Sequence, residues 1–329
     1  MKRAVAHEHT PVSDVETGVE VFAVSPPKPD QLGKATIWNG DVETMLDAWK
    51  GAEPVFDLVV TSPPYNLGKS YERDQMRHLN EYMGWQKRII HKISPLLKPG
   101  GSICWQVGNY VSNGHILPLD IVLHPYFEKE NFVLRNRIVW HFGHGLHSKK
   151  RFSGRYEVVM WYTKTDEYYF DLDAVRVPSK YPGKRAFKGP RVGQLTCNPK
   201  GKNPDDFWES SDSSEDELDD VWDIPNVKAN HVEKTEHPCQ FPVGLIEPLV
   251  MALCPERGLV FDPFAGVGSS GVAALLHDRR YLGAELSAEY VELSQRRLTD
   301  ALKGDVRYRP WDKPVYDASL SSLSRKPGQ

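Results

Sequence analysis

Short apolar runs alternate with amphipathic segments along most of the chain. In one amphipathic segment, Tyr82, Trp85, Ile89 and Ile93 recur at helical spacing. Apolar runs bounded by turn residues predict strands at 35–38, 55–61, 102–107, 135–141, 158–163, 259–261 and 280–284. Amphipathic or longer apolar segments predict helices at 42–50, 80–97, 119–129, 243–253, 270–277 and 288–302. This alternation predicts an α/β fold around a mostly parallel sheet.

Two segments interrupt the pattern. Residues 1–34 are polar and carry several prolines, and we interpret them as an arm with little regular structure. Residues 165–235 are rich in Pro, Gly, Asn and Ser; their first half is basic, while 209–220 contains seven carboxylates and no basic residue. We expect an inserted substrate-reading segment with an exposed acidic loop, and a solvated surface is the alternative for both charge runs.

Composition excludes several classes of protein. The 329 residues are 40% hydrophobic, enough for a large core, and the net charge of -3 gives no global sign of nucleic-acid binding. The N-terminus lacks an apolar core and no stretch approaches a membrane span, so neither a secretory signal nor a membrane segment is expected. Four widely spaced cysteines without a C-x-x-C pair argue against a disulfide framework and are typical of a reducing cytoplasm. His141, His144 and His147 have no partner at a spacing that would complete a metal site, so no metal is expected.

The strand at 55–61 ends in an unusual motif, Ser62-Pro63-Pro64-Tyr65. Two consecutive prolines cannot continue a sheet, because neither has an N–H to donate. The chain therefore leaves the sheet there, with backbone carbonyls turned outward beside an aromatic ring. This arrangement suits holding a planar amino group and stacking on its ring, whereas a strand terminator with a packed tyrosine is the plainer interpretation.

A glycine motif follows the strand at 259–261. Residues 266–271 read G-x-G-x-x-G and open a helix, and Glu285 lies at the end of the next strand. Glycines let the backbone approach a ligand, a helix N-terminus offers free N–H groups, and a carboxylate accepts hydrogen bonds from a ribose. A nucleoside cofactor is predicted, either a dinucleotide or S-adenosylmethionine, and the glycine loop alone does not distinguish them. A tight turn in a ligand-free sheet is the structural alternative.

Together, Asp262-Pro263-Phe264 and the Ser-Pro-Pro-Tyr motif resemble the DNA amino-methyltransferases, which methylate N4 of cytosine or N6 of adenine. That family's cofactor loop reads F-x-G-x-G, here 264–268, and its catalytic loop reads [S/D/N]-P-P-[Y/F/W], here 62–65. The catalytic loop lies about 200 residues before the cofactor loop in the chain. This order resembles the permuted β class of the family, in which a target-recognition region separates the two halves. The resemblance covers about 35–165 and 220–300. It implies a mostly parallel, seven-stranded, Rossmann-like methyltransferase sheet with S-adenosylmethionine as cofactor.

The resemblance also implies roles for individual residues. The catalytic residues would be Ser62, Pro63, Pro64 and Tyr65. The cofactor would be bound by Asp41, Phe241, Asp262, Phe264, Gly266, Gly268 and Glu285. The segment 140–164, which includes Glu157, is similar to the wall of the target-base pocket, and basic side chains in 180–202 suit phosphates. The expected DNA contacts are Asn66, Arg151, Arg155, Lys184, Arg185, Lys188 and Arg191.

The implied organisation has five parts. They are an N-terminal arm (1–34), a catalytic half (35–165), a target-recognition insertion with an acidic loop (166–235), a cofactor-binding half (236–305) and a C-terminal tail (306–329).

Ser rather than Asp at position 62 favours cytosine N4 over adenine N6 within this family. The expected enzyme is a site-specific methyltransferase that acts on a cytosine flipped out of double-stranded DNA, with a bacterial, archaeal or phage origin and a cytoplasmic location. A homodimer and a cognate restriction endonuclease on a separate chain are candidate partners. The alternative substrates are adenine N6, RNA and a protein glutamine amide. Enzymes that methylate a glutamine amide resemble the unpermuted order, with the cofactor loop first, so the order in this chain argues against them. A dehydrogenase would leave the proline loop unexplained, and a DNA-binding module without catalysis would not need both motifs.

Overall fold

The computed structural model describes residues 12–13, 18–65, 78–112, 114–142, 147–179, 181–209, 224–228 and 231–312. The strands are β1 (Val12–Ser13), β2 (Val19–Phe22), β3 (Ala35–Asn39), β4 (Phe56–Thr61), β5 (Leu97–Val107), β6 (Asn109–Ser112), β7 (His115–Pro118), β8 (Val133–His141), β9 (Tyr156–Thr163), β10 (Phe207–Glu209), β11 (Leu259–Asp262) and β12 (Arg280–Glu285). The α-helices are α1 (Val42–Ala48), α2 (Leu79–Ile93), α3 (Leu119–Lys129), α4 (Val243–Leu253), α5 (Ser269–Leu276) and α6 (Ala288–Lys303). Short 3₁₀ turns lie at Pro29–Gln31, Ser94–Leu96 and Asp173–Val175.

One sheet dominates the described part of the chain. Its order is β1-β2-β3-β12-β11-β4-β5-β9-β8-β10, and β6 and β7 form a separate hairpin. Neighbouring strands from β2 through β5 are parallel, whereas β9 is antiparallel to both β5 and β8. The central strands, from β3 to β8 in this order, form the predicted mostly parallel sheet. The predicted α/β fold class is therefore confirmed, with β1, β2 and β10 extending the sheet at its two edges.

Helices cover both faces of the sheet, because its strands are apolar on both sides. One core contains Leu249 of α4, Val272 of α5 and Leu298 of α6. The other contains Met45 of α1 and Ile89 of α2, together with apolar residues of α3. This three-layer arrangement leaves the carboxyl ends of the parallel strands as the edge where a ligand can bind.

The structure corrects two expectations about irregular segments. The predicted arm is partly within the sheet, because β2 pairs in parallel with β3, so little regular structure was the wrong expectation for 19–22. The region 165–235 also contributes to the sheet, since β10 pairs in parallel with β8. Both segments are too short for a periodic pattern to identify them, and only pairing with an existing strand stabilises them. Most of the predicted acidic loop lies outside the described residues.

Candidate active site

The predicted motifs converge at one edge of the sheet. The neighbouring strands β3, β12, β11 and β4 are parallel, so their carboxyl ends lie side by side. A cavity of about 730 Å³ opens at this edge. The predicted residues that line it are Asp41, Ser62, Pro63, Pro64, Tyr65, Phe241, Phe264, Gly266 and Glu285.

The Ser-Pro-Pro-Tyr loop is internally hydrogen-bonded. Ser62 Oγ lies 3.2 Å from Tyr65 OH, and Tyr65 OH donates to Glu157 Oε2 at 3.2 Å. Burial raises the pKa of Tyr65 well above its ordinary value, so its hydroxyl keeps its proton at neutral pH. The two hydrogen bonds hold the Tyr65 ring on the cavity wall, and its contact with a target base stays a prediction.

Glu157 brings a carboxyl group to this loop from a different strand. Strand β9 is antiparallel to β5, so its beginning lies at the edge where β4 and β5 end. Gln106 Nε2 donates to Glu157 Oε2, and both side chains line the cavity. Burial raises the pKa of Glu157 to about 7, because desolvation outweighs the hydrogen bonds from Tyr65 and Gln106. Gln106 Oε1 is buried and has no hydrogen-bond partner in the structure.

The glycine loop and Glu285 form the opposite part of the cavity. Gly266 has a φ of 52°, a left-handed conformation that glycine adopts without strain, and it lines the cavity. Gly266 N donates to Glu285 Oε2 at 2.9 Å, and Ser287 N donates to Oε1 at 2.8 Å. Burial raises the pKa of Glu285 to about 7. Each carboxylate oxygen keeps a second lone pair with which it can accept a hydrogen bond from a ribose hydroxyl.

Aromatic and apolar side chains complete the cavity around the glycine loop. Phe264 packs against Trp85 and Trp105, with ring centroids 5.1 and 6.2 Å apart. His237 meets Tyr290 edge to face at 4.6 Å, and burial lowers the pKa of His237 to about 4, so the imidazole is neutral at neutral pH. A nucleoside needs an apolar wall for its base and a carboxylate for its ribose. The residues present therefore fit S-adenosylmethionine.

Asp262 lies behind the cavity wall rather than on it. Its buried carboxylate accepts a hydrogen bond from Thr61 Oγ1 at 2.6 Å and one from Phe264 N at 3.0 Å. Burial raises its pKa to about 6. Because Thr61 ends β4 and immediately precedes Ser62, Asp262 connects β4 to Phe264 and the glycine loop that follows it.

Gly268 also lies outside the cavity lining. Its φ is 75°, and a Cβ there would lie 2.3 Å from Ser294 Oγ. Glycine at this position therefore allows α5 to begin close to α6, and its predicted contact with the cofactor stays a prediction.

The predicted DNA contacts that lie within the described residues are on the surface and outside the cavity lining. Arg151 and the basic residues of 184–191 are exposed, and Arg155 is partly exposed. Arg185 Nη1 is held by the carbonyl of Gly193 at 2.6 Å. Asn66 lies outside the described residues. These side chains are accessible to phosphates, and their DNA contacts stay a prediction.

Several residues that line the cavity are not predicted from the sequence. They include Trp85, Gln106, Asn226, Val227, Lys228 and Tyr290. Gln106 has a detectable signal, because it is a polar residue inside the apolar run at 102–107. The segment 224–228 gives none, since it reaches the cavity only through the tertiary fold.

Within the described ranges, no group of three or more His, Cys, Asp or Glu side chains could hold a metal ion. None of the helices in those ranges is long and apolar enough to cross a membrane.

Comparison with known proteins gives consistent similarities. A family model for N6 and N4 DNA methylases matches residues 56–296. The type II methyltransferase M.BglII of Bacillus subtilis is 44% identical over 80% of this chain and 68% of its own length. The DNA adenine methyltransferase YhdJ of Escherichia coli is 29% identical over 80% of this chain and 82% of its own.

Solved structures share the fold. PvuII DNA methyltransferase, described as cytosine-N4-specific, superposes with a TM-score of 0.58 and 21% identity over 81% of this chain and 90% of its own. M1.HpyAVI, solved as a SAM complex, gives a TM-score of 0.50 and 18% identity over 80% of this chain and 98% of its own.

Proposed function

Because the chain belongs to the N6 and N4 DNA methylase family, we propose that it methylates N4 of a cytosine flipped out of double-stranded DNA. Family membership confirms the predicted DNA amino-methyltransferase class and its cofactor, S-adenosylmethionine. Cytosine as the target, base flipping and recognition of a specific site are the parts that the proposal adds. The homodimer, the cognate endonuclease and the five-part domain organisation stay predictions.

One observation supports the proposal above the others. The Ser-Pro-Pro-Tyr loop shares a single cavity with Gly266 and Glu285, although about 200 residues separate the two motifs in the chain. A loop suited to a planar amine thus faces the same space as a site suited to a nucleoside cofactor. Transfer of a group between the two is the simplest chemistry that needs both.

The chain's own residues then have distinct tasks. Glu285, Phe264 and the glycine loop would hold S-adenosylmethionine, which supplies an electrophilic methyl group when bound. The carbonyl of Pro63 and the hydroxyl of Ser62 would accept hydrogen bonds from the exocyclic amine, and the ring of Tyr65 would stack on the base. These contacts draw the amine lone pair out of conjugation and fix its direction of attack, so positioning and electrostatics supply most of the rate.

The choice of cytosine rests on Ser62. Within the family that the sequence resembles, Asp at this position is commoner in adenine enzymes. Adenine N6 is the second candidate, because YhdJ, a relative named as an adenine methyltransferase, matches 80% of this chain.

The test is to express the protein in a host that lacks both modified bases, digest its DNA to nucleosides and measure N4-methylcytosine and N6-methyladenine by mass. Wild-type protein should give N4-methylcytosine, and Ser62→Ala and Tyr65→Ala should lose most of it while binding of S-adenosylmethionine by calorimetry is retained. Ser25→Ala is a matched control, because the exposed Ser25 also precedes two prolines but lies outside the cavity lining.

Each other outcome has a defined meaning. N6-methyladenine alone would make the cytosine assignment wrong. If Ser25→Ala and Ser62→Ala lost the product equally, the role of the catalytic loop would be contradicted. If wild-type protein bound the cofactor but gave neither methylated nucleoside, DNA as the substrate would be refuted.

A further inference from the structure

A continuous hydrogen-bonded chain leads from the catalytic loop to a carboxyl group. Ser62 Oγ lies 3.2 Å from Tyr65 OH, which in turn lies 3.2 Å from Glu157 Oε2. All three side chains line the cavity. The loop itself contains no carboxylate, so the fold supplies one from β9 through the tyrosine hydroxyl.

The surroundings of Glu157 hold its carboxyl group in place. Gln106 Nε2 donates to the same oxygen that accepts from Tyr65. A Cβ added at Gly108 would lie 3.2 Å from Tyr65 Cε2 and 3.4 Å from Glu157 Oε1, so the backbone of Gly108 lies beside both side chains. Glu157 Oε2 thus accepts hydrogen bonds from two side chains, which orient the carboxyl group towards the Tyr65 hydroxyl.

We propose that Glu157 is the terminal acceptor of the proton that the target amine loses, and that the proton travels through Ser62 and Tyr65. This inference rests on the proposed function. In this proposal Glu157 receives the proton through Tyr65, so it is a positioning and proton-accepting group that acts through the tyrosine hydroxyl.

The transfer balances in atoms and charge. The cofactor supplies a methyl group bound to a positively charged sulfur, and the pair of electrons in that bond stays with the sulfur. The amine nitrogen gains the methyl group and a positive charge, then gives one proton to Ser62 Oγ. Ser62 passes its own proton to Tyr65, and Tyr65 passes its own to Glu157. The products are a neutral methylated base and a neutral carboxylic acid, which releases its proton to solvent before the next turnover.

The charges around Glu157 are compatible with this role. The titratable side chain in contact with Glu157 is Tyr65 of the catalytic loop. The other titratable groups that line the cavity are Asp41, Lys228, His237, Cys239, Glu285 and Tyr290. Burial raises the pKa of Glu157 to about 7. A carboxyl group with that pKa is an effective acceptor at neutral pH and still releases its proton afterwards.

The test compares single-turnover methyl transfer between pH 5.5 and 8.5, a range of about three pH units chosen around the group's pKa. In wild-type protein the rate should fall as the pH drops through about 7, because Glu157 becomes protonated. Glu157→Gln keeps an oxygen that can accept from Tyr65 and Gln106 but cannot take a proton. It should lower the rate about 100-fold at the upper end of that range and lose the acidic limb. The affinity for S-adenosylmethionine should not change.

Two further variants separate a proton path from a structural role. Tyr65→Phe keeps the ring but breaks the chain, so it should lower the rate as Glu157→Gln does, and the double variant should be no slower than either single one. Glu128→Gln, on an exposed side chain of α3, should leave both rate and pH profile unchanged. Rate losses that multiply in the double variant, or an acidic limb that persists in Glu157→Gln, would overturn the proposal.

A spectroscopic measurement adds a readout that does not depend on turnover. In infrared spectra of the cofactor-free protein, the difference between wild type and Glu157→Gln should contain a protonated-carboxyl band that titrates near pH 7. The difference removes the contribution of Glu285, whose pKa burial raises similarly. A carboxyl group that is ionised throughout this range would contradict the proposal. Failure of wild-type protein to methylate DNA would refute the proposed function instead, so the two failures are distinguishable.

Discussion

Replacing Thr61 by Val tests the connection between the end of β4 and the glycine loop of the cofactor half. Thr61 Oγ1 donates to Asp262 Oδ1 at 2.6 Å, and both side chains are buried. Valine has a similar shape and removes only the donor. The carboxylate of Asp262 would keep its bonds from Phe264 N and Ser270 Oγ.

The size of the effect depends on the protonation of Asp262. Its pKa in the folded protein, about 6, is above its ordinary value of 3.8, mainly because the group is buried. Protonation of Asp262 therefore stabilises the folded protein. This contribution to the free energy of unfolding, about 3 kcal/mol, is complete below pH 4 and is lost as the pH rises through 6. Above that range the hydrogen bond from Thr61 stabilises an ionised group, and bonds of this kind contribute about 1.5–3 kcal/mol. At about pH 5 the same bond is neutral and contributes about 1 kcal/mol.

Urea denaturation at about pH 5 and pH 8 measures both values, the two conditions lying on either side of the Asp262 pKa. Thr61→Val should lower the free energy of unfolding by about 1.5–3 kcal/mol at the higher pH and by about 1 kcal/mol at the lower. Thr163→Val is the control, because buried Thr163 bonds to the carbonyl of Thr165 and the guanidinium of Arg135, neither of which is a carboxylate. Its loss should be the same at both pH values. An equal loss for Thr61→Val at both would refute the role given to Asp262.

Two further predictions concern the cofactor half. Gly268→Ala places a Cβ 2.3 Å from Ser294 Oγ at a φ of 75°, so it should lower the free energy of unfolding by about 1–3 kcal/mol. Gly304→Ala is the control, because Gly304 has a similar φ but no atom within 4 Å of the added Cβ, and it should lower the free energy of unfolding by less. Equal losses of stability in thermal denaturation would contradict the packing argument. Glu285→Ala should weaken binding of S-adenosylmethionine by about tenfold or more in calorimetry, because two or more hydrogen bonds between the cofactor and the carboxylate are lost. Asp278→Ala, on the exposed surface, should leave this affinity unchanged. Unchanged affinity in Glu285→Ala would remove Glu285 from the cofactor site.

Much of the fold follows from local patterns. The bounds of α4 agree with those predicted, because a largely apolar segment, interrupted only by Glu247, lies between Pro242 and Cys254. Strands β3, β4, β11 and β12 are found where apolar runs predict them, and their carboxyl ends carry the predicted motifs. Strand β2 and the β6–β7 hairpin were not predicted, because such short segments are stable only when paired.

The candidate site could be predicted only in part, for a physical reason. Motifs such as Ser62–Tyr65 are visible because unusual residues are adjacent in the chain. Glu157 and Gln106 meet the loop only because an antiparallel strand returns to the edge where β4 ends, a relation that depends on tertiary structure. Asp262 and Gly268 show the converse. Asp262 belongs to the Asp-Pro-Phe segment and Gly268 to the glycine motif that follows it. The structure places both residues behind the cavity wall, where they hold the glycine loop in position.

Incubation of the purified protein with duplex DNA and S-adenosylmethionine carrying a labelled methyl group tests the proposed activity most directly. The DNA is digested to nucleosides, and the labelled product is identified by mass. We expect the label in N4-methylcytosine, and Ser62→Ala protein should transfer little of it. Label found in N6-methyladenine instead, or in no nucleoside at all, would contradict the assignment.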